Sequence, residues 1–399
     1  DGLITQRLVL DKPLIVNTWF LVAASYDSHQ HRIRLSVEPR VNSPADRVAW
    51  PPMRVEELCR EGLSVIHEGP LRFAACTDGP GNGERLKPAG CFNGKLDRVR
   101  VAAGLLDQCQ TVTLSETQIP DSLRGQVIGF WDFGKGIDSI DTHDLSNNSL
   151  KGVTVNLPMR AVMGVDWDGT VNDWQQRTDH YSAIYFHDDD LYDSEWEKDF
   201  CYKIPQNLPS GIYAARLRHK ASEDYIPFFV APPKGSATAR TAILIPTANA
   251  TAYTNTPGIL SVWKKRFTTA SGEEVLVDER LHPALLVNAA HADFLATHLR
   301  ECGKGLYDAH TDGTFVSIAS QKHPNMTIKP KGCNWTLVAD TYLTDWLEHE
   351  DIPYDIITDD LLHAEGVGLL KNYSVIMTGN HPEYYSKAML DAVAQYQEQ

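Results

Sequence analysis

The hydrophobic pattern changes its period partway along the chain. In the first half the apolar stretches are short and strand-like. Trp19–Tyr26 reads as a strand, Arg32–Val37 alternates with period two, Phe92–Val101 is a turn followed by an alternating strand, and Gly129–Phe133 is another. Turn residues separate them at the spacing of an all-β sandwich. Pro44–Gly90 is rich in proline and glycine and reads as loop. Thr178–Val230 holds a second β region, with strands within Leu208–Leu217 and at Tyr225–Val230, closed by the linker-like run Ala231-Pro-Pro-Lys-Gly235.

From Thr241 strands and helices alternate. Ala242–Ile245 and Trp335–Ala339 read as short apolar strands, and Tyr342–His349 has helical spacing. Tyr354–Ile357 is a further strand, a helix starts at Asp359, Tyr373–Thr378 reads as a buried strand, and a last helix starts near Ser386. Such alternation predicts a parallel sheet with right-handed crossovers. The expected architecture is multidomain: an all-β sandwich over residues 1–165, a β region and linker over 166–235, and an α/β flavodoxin-like, glutamine-amidotransferase-like domain over 236–399. The chain opens at Asp1 in mid-domain pattern and closes at Gln399 inside a helical one, as a fragment cut at both ends would.

Composition narrows the function classes. A formal net charge of −15 argues against a nucleic-acid binder, and 42% hydrophobic with 22% charged residues fits a globular protein with no membrane-length apolar run. The seven cysteines are scattered without a Cys-x-x-Cys pair, which disfavours structural zinc and reads as reduced, mostly buried thiols of a cytoplasmic protein. Asn249 and Asn334 head glycosylation sequons, read as chance matches. No Gly-x-Ser-x-Gly or Gly-x-Gly-x-x-Gly occurs, and the glycine-rich Gly79–Gly83 does not open a helix.

Chemistry is expected around Asn372–Ser386 (NYSVIMTGNHPEYYS). There a strand runs into the polar turn Gly379-Asn380-His381-Pro382-Glu383, and no cysteine stands at the elbow as an amidotransferase nucleophile would. The plainer reading is a helix start with an acidic residue near it. Tyr253 follows the Ala242–Ile245 strand, so Tyr253 and Glu383 could face one crevice; Tyr307 lies in the loop Gly305–Gly313. A lone exposed tyrosine is a rim residue, whereas two tyrosines converging with a carboxylate suit a hard cation, iron above all. His187-Asp188-Asp189-Asp190 is also acidic but lacks the glycine and distant glutamate of a calcium loop, and reads as solvated.

Two resemblances add to this. TWFLVAASYD, FNGKLDRVRVAAGLL and GFWDF resemble the laminin-G/concanavalin-like jelly roll, which binds sugars or covers another domain. IPTANATAYTN, GLYDAHTDG, TYLTDWLEHEDIPYDIITDDLLH and YSVIMTGNHPEYYS resemble the large (beta) subunit of N,N-dimethylformamidase and its relatives, from about Gly129 onward. That resemblance implies hydrolysis of dimethylformamide to formate and dimethylamine. It also implies a mononuclear, ferric iron held by Tyr253, Tyr307 and Glu383, with His381 beside it moving the proton. It implies a small partner subunit and oligomers of the resulting heterodimer. Asn255 and Asn380 could serve as outer donors or simply as turn residues; Asp308 and His310 could orient Tyr307 or form a solvated pair. A relative acting on larger amides fits the same residues. The competing expectation is a non-catalytic carbohydrate-binding protein, a lectin-like module on an inactive amidotransferase-like scaffold.

Overall fold

The strand-like stretches of the first half pair antiparallel. The computed structural model of the chain describes residues 7–40, 50–59, 70–77, 88–220, 222–255, 267–268, 274–275, 298, 301–326, 328, 330 and 336–398. They fall into two units, Asp1–Asp188 and Asp189–Gln399.

In the first unit, Phe20–Asp27, Arg32–Pro39 and Met53–Leu58 form one sheet. The Asp27 carboxylate accepts hydrogen bonds from the His29 and Gln30 amides, which shapes the tight turn between the first two strands. Met53–Leu58 corrects the expectation of loop throughout Pro44–Gly90; its alternation is blurred by charged residues that pair across strands, as Arg34 does with Glu56 at 2.8 Å. Arg100–Ala102, Val127–Asp132, Asp141–Asp144 and Gly152–Val153 form a second sheet, and Gly94–Leu96, Ala183–Phe186 and Met159–Val162 a third. Val127, Gly129 and Trp131 are the buried alternate positions of their strand, and Trp131 packs with Phe133 and Ile184. The expected run Phe92–Val101 is two strands, broken at Asp97, Arg98 and Val99.

In the second unit, Gly211–His219 and Ser222–Val230 form a hairpin. Thr241–Ile245 is the centre of a parallel sheet, with Tyr354–Thr358 on one side and Val375–Thr378 on the other. Its continuous apolar run has a physical reason: both faces are covered. Ile243 and Ile245 pack with Leu347 and Ile356 beneath the helix Leu337–His349, while Ala242 and Leu244 pack with Leu362, Leu370 and Met389 from the helices of the opposite face.

Three expectations are corrected. Leu337–Ala339 opens a helix and is not part of a strand, and Trp335 lies outside the described residues. A short apolar run cannot distinguish helix from strand, but the buried stripe Leu337, Asp340, Thr344 and Leu347 has helical spacing. Among the described residues Val375–Thr378 is an edge strand, with one neighbour beside it and both end residues exposed. The cysteines are not mostly buried: of the six described, only Cys59 and Cys302 are, whereas Cys76, Cys109 and Cys201 are exposed. Cys333, Asn334 and Gly79–Gly83 lie outside the described residues. Asn249 is 1% exposed, so no glycan reaches it. No described helix is long and apolar enough to cross a membrane.

Candidate metal centre

The carboxyl end of the central strand feeds directly into the site. Thr247–Ala252 is a short helix after Ile245, and Tyr253 caps its end, with its amide on the Asn249 carbonyl at 3.0 Å. The Ala252 carbonyl accepts the Leu306 amide at 2.7 Å, which brings Tyr307 beside Tyr253. Their rings stack, with centroids 4.1 Å apart and planes 16° from parallel.

Glu383 arrives from the neighbouring strand. Gly379 is needed at the exit, because a Cβ there would stand 2.6 Å from both the Pro246 ring and the Asp340 carboxylate. The chain turns through His381 in a left-handed conformation, φ 55°, and the helix Lys387–Gln397 restarts regular structure with Ser386 as its cap. The exposed stretch between them presents Glu383 to both tyrosines. Tyr253 Oη donates to Glu383 Oε2 at 2.8 Å, and Tyr307 Oη donates to Oε1 at 2.9 Å. His381 Nε2 is 3.0 Å from Oε2, and Tyr384 Oη donates to Tyr307 Oη at 2.8 Å.

These contacts set the protonation of the cluster. The Tyr253 hydrogen bond, with help from Tyr307 and His381, holds Glu383 below the usual carboxylate range. Burial pushes both Tyr253 and Tyr307 up to about 12, reinforced by the carboxylate they share. Both phenols therefore keep their protons at neutral pH and direct them at Glu383. The oxygen atoms converge as donors to a hard cation would, with the phenol protons standing where positive charge is wanted. The donor set, phenol and carboxylate oxygen, fits ferric iron in chemistry.

The remaining candidates sit around this cluster in supporting places. Asn255, fully buried at φ 51°, gives its amide group to the Cys302, Gly303 and Pro324 carbonyls and accepts the Met326 amide, so it stitches the Tyr307 segment to the end of the Tyr253 helix. Asp308 closes the turn under Tyr307 by accepting the Gly305 amide at 3.0 Å. The Asn380 amide donates to Asp340.

The acidic run ending at Asp190 is not a solvated loop, which corrects the expectation drawn from its charge. Asp189 has a side chain 1% exposed and is gripped by Lys304 on one oxygen and His310 Nδ1, at 2.6 Å, on the other. Thr311 adds its amide. Burial alone would raise the Asp189 pKa, but His310 and Lys304 overcome it and hold the carboxyl far below its ordinary value. Lys304 and His310 flank Tyr307 by three residues on each side, so one carboxylate clasps both ends of the tyrosine's loop. His310 is buried here and is not part of a solvated pair. Asp189→Ala leaves Lys304, its side chain 12% exposed, without its counter-ion and is expected to destabilise the fold by about 3–5 kcal/mol. Urea denaturation checks this, and a loss below about 1 kcal/mol would contradict the clasp.

Two further acids lie under the site. Asp340 and Asp359 are 2% and 4% exposed, and burial raises each to about 6. Asp359 accepts the Ala248 amide at the start of the Tyr253 helix. A carboxyl that ionises at about 6 when folded and near 3.8 when unfolded binds its proton more tightly in the folded chain. Its stabilisation is complete below about pH 3.8 and is lost as pH rises through about 6. Asp340→Asn or Asp359→Asn, which imitate the protonated form, are expected to flatten that loss and to stabilise the chain near neutral pH by on the order of 1–3 kcal/mol. Urea midpoints measured across this range test it, and a slope unchanged from wild type would refute the assignment.

Sequence reasoning did not single out Tyr384, Lys304 or Asp340. A signal existed for two of them. Asp340 sits in the buried helical stripe described above, and Tyr384 follows Glu383 in a Tyr-Tyr pair whose second member, Tyr385, packs into the core.

A site built from phenol and carboxylate oxygens at the carboxyl end of a parallel sheet is the setting in which the comparisons fall. Residues 159–399 match the family described as N,N-dimethylformamidase beta subunit-like, C-terminal. The chain belongs to that family. It is 33% identical over 413 residues to the N,N-dimethylformamidase beta subunit of Paracoccus aminophilus, covering 98% of this chain and 51% of that protein. It is 32% identical over 418 residues to the protein of the same name from Alcaligenes sp, again with 98% and 51% covered. The chain thus spans about half the length of these curated relatives.

Proposed function

We propose that this chain carries the metal-binding part of an amide hydrolase, with ferric iron held by Tyr253, Tyr307 and Glu383. The observation that carries the reading is the division of one carboxylate between two stacked tyrosines, each bound to a different oxygen of Glu383. The relatives' name supports an amide substrate of the dimethylformamide kind, hydrolysed to formate and dimethylamine, and a partner subunit. Bound iron supplies Lewis acidity, which polarises an amide carbonyl and makes water a better nucleophile at neutral pH. His381, 40% exposed at its side chain, is open to solvent and so placed to take a proton from water and return it to the departing amine. Asn255, Asp308, His310 and Asp189 hold the two tyrosine segments in register. The jelly-roll sandwich and the flavodoxin-like, amidotransferase-like layer are part of the same reading, supported by the antiparallel sheets of the first unit and the parallel sheet of the second. A cytoplasmic setting belongs to the same reading, supported by cysteines scattered along the chain without a Cys-x-x-Cys pair.

Metal analysis and a visible spectrum of the purified chain, before and after incubation with ferric iron, test the proposal. One iron per chain with a phenolate-to-iron band is expected. A colourless chain that takes up no iron removes it and returns the carbohydrate-binding scaffold to first place.

A further inference from the structure

We propose that Tyr384 is a positioning residue of the centre: its hydroxyl donates to the Tyr307 oxygen and so sets the electron density that this oxygen offers a cation. The inference rests on the reading of Tyr307 as a ligand.

A phenol oxygen has one proton and two lone pairs. Tyr307 spends its proton on Glu383 Oε1 at 2.9 Å, and Tyr384 Oη lies 2.8 Å from the same Tyr307 oxygen. Tyr307 is therefore donor to the carboxylate and acceptor from Tyr384. The second role survives when Tyr307 loses its proton, because a phenolate can only accept. The backbone makes the arrangement possible. Glu383, Tyr384 and Tyr385 lie in an irregular stretch between strand and helix, and their side chains diverge. Glu383 meets the stacked tyrosines and Tyr385, partly buried, packs against the apolar core of this unit. Tyr384 stands edge-on to the Tyr253 ring, with centroids 6.5 Å apart and planes at 74°.

The alternative is that Tyr384 is a third phenolate ligand. The contacts speak against it. Tyr253 and Tyr307 both point their oxygens at the Glu383 carboxylate, whereas Tyr384 points its own at Tyr307. Three phenolates and a carboxylate would also place four negative charges around a trivalent ion, one more than it neutralises.

Tyr384→Phe removes the donor and keeps the ring. With the chain incubated in ferric iron, the variant is expected to retain one iron per chain while its affinity falls by about 10–100-fold, the usual effect of losing the outer partner that orients a metal ligand. The phenolate-to-iron band is expected to move to longer wavelength, since the unshielded Tyr307 oxygen gives up its electrons more readily. A wild-type band position and affinity would overturn the inference by leaving Tyr384 a packing residue. Complete loss of iron, matching Tyr307→Phe measured alongside, would overturn it by making Tyr384 a ligand. A wild-type chain that takes up no iron removes the ligand reading itself and the inference with it, and that result is seen before any substitution is made. Circular dichroism of the variant guards against unfolding.

Discussion

Tyr253→Phe, Tyr307→Phe and Glu383→Gln each lose stoichiometric iron, the phenolate band and amide hydrolysis together, if the three oxygens hold the metal. Phenylalanine keeps the stacked ring pair, whose centroids lie 4.1 Å apart, and removes one oxygen. Glutamine keeps the size of Glu383 and removes its charge. The metal-free fold should survive, because each change deletes hydrogen bonds in a partly exposed cluster, a cost of about 1 kcal/mol apiece. Tyr385→Phe is the internal control: it neighbours the cluster in sequence but packs into the core, and iron binding should not change. Metal analysis, visible absorption and urea melts on the four variants check the set. Full iron in Tyr253→Phe is the outcome that would sink the assignment.

His381→Ala is expected to keep its iron and lose about 10²–10⁴-fold in amide turnover, the usual loss when a general acid or base is removed. Because His381 sits at φ 55°, alanine retains a strained backbone there, which mixes two effects. His381→Gly relieves the backbone and also lacks the imidazole. Equal losses in both variants place the effect on the imidazole. A glycine variant with restored rate would mean that His381 serves the turn alone.

Much of the site was legible for a reason that differs between residues. Glu383 and His381 could be found because a strand running into a polar turn is a general feature of parallel sheets, and Gly379 marks the place where the chain passes Pro246 and Asp340 too closely for a side chain. Tyr253 follows from the same logic on the neighbouring strand. Tyr307 could not be reached that way. Its loop is placed by the Leu306 amide on Ala252 and by the Asp189 clasp, tertiary contacts that leave no periodic trace, so the sequence offered a tyrosine in a polar loop and the family motif gave it its place. Asp189 itself was misjudged because an acidic run is normally solvated, and nothing local reveals that Lys304 and His310 meet it. In the fold, Ala242–Ile245 announced itself by being apolar at every position. Leu337–Ala339 misled because three apolar residues carry no period of their own.

The separation of the residues that meet at Glu383 bears on when the centre comes into being. Its hydrogen bonds reach tyrosines 130 and 76 positions away along the chain. Closing loops of that length costs a flexible chain about 4 kcal/mol each, repaid only after the intervening elements are ordered. Contacts of such high sequence separation belong to slow, late steps of a folding route. Thr241–Ile245 must pair with Val375–Thr378 before Tyr253 and Glu383 share an end of the sheet. A half-folded chain offers scattered phenols with no common carboxylate, so if the cluster holds iron, high-affinity metal uptake would mark a chain whose folding is finished.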